Sequence, residues 1–197
     1  MPTAPSEPAD DQLLQATAAG SEAAFLEIYR RYKDRVYRFA YRMTGSPELA
    51  RDVTQTCFAS LLAAPRRYMK QRASLGTYLC AAARNQSLRH AMRAWREPVL
   101  SVSPDLRPSH GPSPLELLLE DERGRIVRDA LSRLAPLHRE VLVLAEYEEL
   151  DLATIADIVG AEVGAVKVRL HRARRKLRSV LSGYMSRGGV AAQVRTR

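Results

Sequence analysis

Two cysteines and four histidines are all that this 197-residue chain offers for thiol or soft-metal chemistry. Cys57 and Cys80 show no metal-ligand spacing and no disulfide framework, so a zinc module and a stapled secreted scaffold are both excluded. No Gly-rich phosphate loop, His cluster, acid pair or nucleophile motif occurs, which leaves catalysis, cofactor or metal without a residue to rest on. No stretch has the apolar run of a signal peptide or a membrane span, so the chain reads as cytoplasmic, without membrane insertion. Strand-period alternation is missing as well. Every periodic stretch repeats at three and four residues, and the fold class is therefore all-α.

Positive charge is what the chain has in excess. Lys and Arg number 31 against 22 acids, a net +9, which favours a polyanionic partner: DNA, RNA or an anionic surface. The charge concentrates in Ala161–Val180, AEVGAVKVRLHRARRKLRSV. There Val163, Val166, Leu170, Ala173 and Leu177 form a narrow apolar stripe of helical period. Lys167, Arg169, Arg172, Arg174, Arg175, Lys176 and Arg178 fill the other positions, with no acid from Val163 onward. Such a run opposes its own helix unless an anion lies along it; the other reading is a solvated basic helix end.

The residues upstream favour the anion. Pro136 opens an apolar-periodic helix over Leu137–Glu149, Asp151 is placed to cap a short helix over Leu152–Val159, and Gly160 to end it. A short helix, a tight Gly turn and a basic helix make a helix-turn-helix, whose second helix enters the DNA major groove. Charge is segregated to match, since Leu137–Glu162 is net −6 and Val163–Arg178 is +7. The pattern points to duplex DNA.

Earlier in the chain, residues 1–10 read as a disordered N-terminus and a short helix near Asp11–Ala18 carries Leu13 and Leu14. Ser21 caps a long helix to Thr44, striped by Phe25, Ile28, Tyr29, Tyr32, Val36, Phe39, Ala40 and Met43. Ser46-Pro47-Glu48 starts a third helix that turns Leu49, Val53, Cys57, Phe58, Leu61 and Leu62 inward. Over Pro65–Ser74 the period stops, leaving Arg66, Arg67, Tyr68, Lys70 and Arg72 in a basic loop. An aromatic among cations suits single-stranded nucleic acid, though a solvated loop has the same composition. A fourth helix, Leu75–Ala94, places Leu79, Ala82, Ala83 and Leu88 inward and Arg89, Arg93 and Arg96 along one face. Trp95–Pro114 holds five of the eleven prolines and reads as an extended linker, after which Ser113-Pro114 starts a helix to about Leu134. The domains expected are thus 11–94 and 114–180, joined by a linker over 95–113 and followed by a frayed basic tail over 181–197.

Three blocks carry a family resemblance: AAFLEIYRRYKDRVYRFAYRMTGSPELARDVTQTCF (Ala23–Phe58), YLCAAARNQSLRHAMR (Tyr78–Arg93) and LHREVLVLAEYEELDLATIADIVGAEVGAVKVRLHRARRKLR (Leu137–Arg178). The chain resembles the extracytoplasmic-function sigma factors, two-domain initiation subunits of bacterial RNA polymerase. Helix-turn-helix regulators share the last block's general shape but lack the first.

The resemblance implies a non-enzymatic function, with core RNA polymerase (clamp and flap), promoter DNA and an anti-sigma factor as partners. It puts Asp52 and Gln55 on the polymerase clamp, a face that would otherwise read as solvated. It gives the Pro65–Ser74 loop a flipped base of the −10 element, and Arg84, Asn85, Arg89 and Arg93 the −10 DNA. The linker would thread into the polymerase cleft. On the recognition helix, Val168, His171 and Arg172 would face −35 base edges, and Lys167, Arg169, Arg174 and Arg175 the phosphates. His171 has no neighbouring ligand residue and is not assigned to a metal.

The chain departs from the family pattern at several of these places. Ala165 and Val168 stand where hydroxyl residues are common, Thr56 for Glu, Leu62 and Tyr78 for Trp, and Arg89 for Asp. Val168 can touch a thymine methyl instead, so an altered −35 preference is expected, while Arg89 reverses a charge on the DNA-facing helix and bears on the −10 contacts. Cys57 and Cys80 fit small buried hydrophobes better than a redox switch.

Overall fold

The computed structural model describes residues 8–68, 73–96 and 122–194. Among them the regular structure is entirely helical: α1 (Asp10–Ala18), α2 (Glu22–Thr44), α3 (Pro47–Ala63), a 3-10 turn (Pro65–Arg67), α4 (Leu75–Arg96), α5 (Glu122–Ser132), α6 (Pro136–Glu146), α7 (Leu152–Val159) and α8 (Val163–Val194). None of the described helices is long and apolar enough to cross a membrane.

Local chemistry sets the helix starts. Ser21 and Ser46 each accept a backbone N–H three residues on, at 3.3 and 3.2 Å, and Asp151 accepts two, from Ala153 and Thr154, both at 2.9 Å. Each satisfies donors that a helix leaves unpaired at its N-terminus. Gly45 and Gly160 end α2 and α7 at φ 74° and 65°, a region costly for any residue with a Cβ.

The first four helices pack around Ile28, Val36, Phe39, Met43, Leu61, Leu75 and Leu79, all buried. Each such side chain contributes about 1.5–3 kcal/mol by leaving water. Cys57 and Cys80 are free and buried in this packing. Burial pushes the Cys57 thiol up to about 12 and raises Cys80 as well, so neither is a reactive thiolate at neutral pH. The second group, α5 to α8, closes over Leu131, Leu134, Leu142, Leu144, Ile155, Val166 and Ala173. α8 lies across α5, α6 and α7, and α6 in turn packs on α2 and α4, so the apolar core is continuous between the two groups.

Several expected boundaries shift. α4 runs to Arg96, so Trp95 sits in its last turn, 49% exposed, instead of in the linker. The linker beyond 96, the start of the helix at Ser113 and loop residues Lys70 and Arg72 lie outside the described residues. α6 stops at Glu146, three residues early. Glu148 and Leu150 turn their N–H groups back to the Val143 and Leu144 carbonyls, and Glu149 takes φ 54°. α8 continues to Val194, well past the point at which fraying was expected. Two residues expected inward face out: Leu62 is 51% and Val163 39% exposed. Leu61 continues the four-residue line of Val53 and Cys57 into the core, whereas Leu62 lies seven residues, two helical turns, beyond exposed Gln55 on the outer face. Val163 is the first residue of its helix and falls short of the packed stripe that begins at Val166.

Candidate nucleic-acid and polymerase interface

The exposed side of α8 is built by elimination. Val166, Leu170 and Ala173 are buried against α6 and α7, which leaves Lys167, Val168, His171, Arg172 and Arg175 outward on one face. Val168 is 49% exposed, an apolar side chain among cations. Two of the cations expected on phosphates point elsewhere. Arg174 bonds Glu146 through Nε at 2.7 Å, an exposed pair, and Arg169 leans inward with its Nη1 3.9 Å from Glu140. His138 lies at the start of α6 beside this helix. Partial burial and then the charges of Arg172 and Arg169 pull its pKa down, keeping it neutral near pH 7.

On α4, Asn85, Arg89 and Arg93 are exposed at successive four-residue steps. Arg89 donates to Gln86 Oε1 at 2.8 Å and to the Asn85 carbonyl at 3.4 Å, which holds it flat on the helix. Arg84 is different. Its Nε donates to Glu140 Oε2 at 2.6 Å, and its side chain is only 13% exposed. Arg66 and Arg67 project from the 3-10 turn. Tyr68 is half-buried, edge-on to Tyr78 with ring centres 5.6 Å apart. Tyr68 also lines an open cleft of about 390 Å³ with Asp10, Asp11, Ala73, Ser74 and Leu75.

On α3, Asp52 and Gln55 are exposed on one face with Thr56, Ala59 and Leu62, while Val53, Cys57 and Phe58 point inward. α3 packs chiefly on α2 and α4.

The two helix groups meet through charged side chains that sequence reasoning did not single out. Arg139 is 6% exposed and donates to three carbonyls: Met43 at the end of α2, and Ser132 and Leu134 at the end of α5. It thus serves two helix C-termini, where unpaired carbonyls and the negative dipole end favour a cation. Burial lowers its pKa to about 10, which still leaves it charged at neutral pH. Glu148 accepts from Arg35 Nε at 2.7 Å and Cys80 Sγ at 3.3 Å. Gly76 makes room for that arginine, since a Cβ there would collide with the Arg35 guanidinium. Arg42 lies 4.0 Å over the Tyr147 ring. For Glu140 a signal was present: its neighbours Pro136, Val143 and Leu144, three and four residues away, are all on the buried side.

The Sigma-70 region 2 family matches residues 28–97, and the Sigma-70 region 4 family matches residues 124–177. The chain is 30% identical over 187 residues to the ECF RNA polymerase sigma factor SigE of Mycolicibacterium smegmatis, covering 91% of this chain and 72% of that one. It is 27% identical to ECF sigma factor SigW of Bacillus subtilis, covering 82% and 91%. Two solved structures share the fold at TM-score 0.61 and 21% identity. They are the sigma factor RpoE in complex with the anti-sigma factor NepR from Bartonella quintana, covering 80% of this chain and 96% of that one, and CnrH in complex with the cytosolic domain of CnrY, covering 89% and 99%. With a region 2 match on the first helix group, a region 4 match on the second, and a 30% identical relative covered over 72% of its length, the chain belongs to the ECF sigma factors of RNA polymerase.

Proposed function

We propose that α8 reads the −35 element, that α4 and the loop before it hold the −10 element, and that the exposed face of α3 docks on the polymerase clamp. The observation that carries this reading is the outward stripe of α8, where Lys167, Val168, His171, Arg172 and Arg175 stand on a capped helix-turn-helix. Arg172 has the fork that pairs bidentately with guanine, and Val168 the apolar surface for a thymine methyl. Lys167, Arg169, Arg174 and Arg175 neutralise phosphates, with Arg174 exchanging Glu146 for the DNA backbone. An exposed ion pair is worth little, so that exchange costs little.

For the −10 element, the cleft beside Tyr68 offers an aromatic wall for an unstacked base, and Arg66 and Arg67 offer charge for the strand that delivers it. Asn85, Arg89 and Arg93 follow the same strand along α4, and Arg84 joins them once it leaves Glu140. Lys70 and Arg72 belong to this loop by sequence. The first unit, 11–94, carries the clamp and −10 contacts, and the second, 114–180, the −35 and flap contacts. An anti-sigma factor is the regulator this reading assigns, supported by the NepR complex of a structure with the same fold.

The clamp assignment is tested by replacing Asp52 and Gln55 with Ala in the full chain. Both side chains are exposed, so helix content and melting temperature stay unchanged. Affinity for core polymerase falls by about tenfold, as for a modest interface hot spot. Unchanged affinity would mean that the clamp contacts another face.

A further inference from the structure

Glu140 brings together two residues that the promoter reading puts on different DNA elements. Its carboxylate is fully buried on α6, with Oε2 2.6 Å from Arg84 of α4 and Oε1 3.9 Å from Arg169 of α8. Arg84 is assigned to the −10 element and Arg169 to the −35 phosphates. A carboxylate and a phosphodiester present the same pair of anionic oxygens to a guanidinium. While Glu140 holds Arg84, that side chain is closed to DNA, and α4 and α8 are held at a spacing set by one short side chain.

We propose that Glu140 is an internal phosphate mimic that latches the two helix groups shut in the free protein and withholds Arg84 and Arg169 from promoter DNA. The inference rests on the DNA assignment of those two arginines. Arg35–Glu148 and Arg139–Met43 close the same seam, but neither involves a residue assigned to DNA. The latch is built to be released. Glu140 Oε1 is buried without a hydrogen-bond partner, and a half-satisfied buried carboxylate opposes the closed state that contains it. Polymerase or DNA shifts the closed–open balance by the difference in its affinity for the two forms, working against the apolar and Arg139 contacts that also close the seam.

The test uses the full chain carrying Cys57→Ala and Cys80→Ala, to keep the buried thiols from the label, with Glu22→Cys and Asp157→Cys at exposed sites on opposite helix groups, labelled as a fluorescence pair. Free protein shows one short inter-label distance, and Glu140→Gln in that background shifts it to longer values. Affinity for a short mixed-sequence duplex at fixed salt, without polymerase, rises by at least about tenfold, because the competent form is no longer a minor population. Glu162→Gln, which removes the same charge from an exposed site beside the recognition helix, leaves the distance unchanged and raises affinity by much less. Long distances in the free wild-type chain overturn the proposal even if Glu140→Gln misfolds. A folded Glu140→Gln protein that stays closed also overturns it, leaving the DNA assignment untouched. Opening without a gain in DNA affinity overturns it too, and locates the error in the assignment of Arg84 and Arg169.

Discussion

Reversing Arg172 and Arg175 to Glu abolishes −35-dependent initiation and leaves binding to core polymerase intact. Both side chains are exposed on the outward stripe of α8, and neither supports the core beneath it. Loss of one arginine bidentate to guanine costs about 1–3 kcal/mol. Reversal adds repulsion from the phosphates, so the pair together loses at least about a hundredfold in promoter-dependent transcripts. In the proposed reading polymerase binding belongs in good part to α3, on the far helix group. Run-off transcription and core-binding titration with the same preparation check both halves. Joint loss of transcription and core binding would mean that α8 also serves polymerase.

Replacing Arg139 with Met produces the largest loss of stability. Buried ion pairs exchanged whole for apolar residues are often neutral, because the desolvation of both charges is recovered. Here only one partner is replaced. The Met43, Ser132 and Leu134 carbonyls remain and keep their own desolvation cost without a donor. Each carbonyl left without a donor costs about 1–3 kcal/mol, offset in part by the recovered desolvation of the arginine. For a domain with about 5–15 kcal/mol in total, that is a large share. Arg139→Lys keeps the charge but has no planar fork to span three carbonyls, so it falls between. Urea unfolding followed by circular dichroism reads the shift, and a midpoint equal to wild type would remove Arg139 from its clamping role.

Much of the fold is legible in the sequence because it is decided locally. Ser46-Pro47-Glu48, Asp151 and Gly160 act within one helical turn, and the structure places each at the cap its chemistry suggests. The outward stripe of α8 is legible for the same reason, since a helix with one apolar stripe has only one way to sit. The end of α6 is not. No Gly or Pro follows Glu146, and the turn is made by Glu149 in a conformation that composition favours only for glycine or asparagine.

The seam between the helix groups is the least legible part. By sequence Glu140 and Glu148 are two acids of the net-negative stretch Leu137–Glu162, whereas their partners Arg84 and Arg35 lie 56 and 113 residues away. Which residues they pair with follows from how α2, α4 and α6 pack, which no local window contains. Arg84 shows the consequence. Its position on α4 fits a DNA contact, and its geometry in the closed chain is that of a buried ion pair.

The central claim is tested most directly by adding the purified chain to sigma-free core RNA polymerase with fragmented genomic DNA and mapping transcript starts. The account predicts starts that share one −35 and one −10 sequence at a fixed spacing, and their disappearance with Arg172→Glu/Arg175→Glu. Salt-sensitive binding to duplex DNA with no specific starts would contradict it, and would make the chain a helix-turn-helix regulator in a sigma-factor fold.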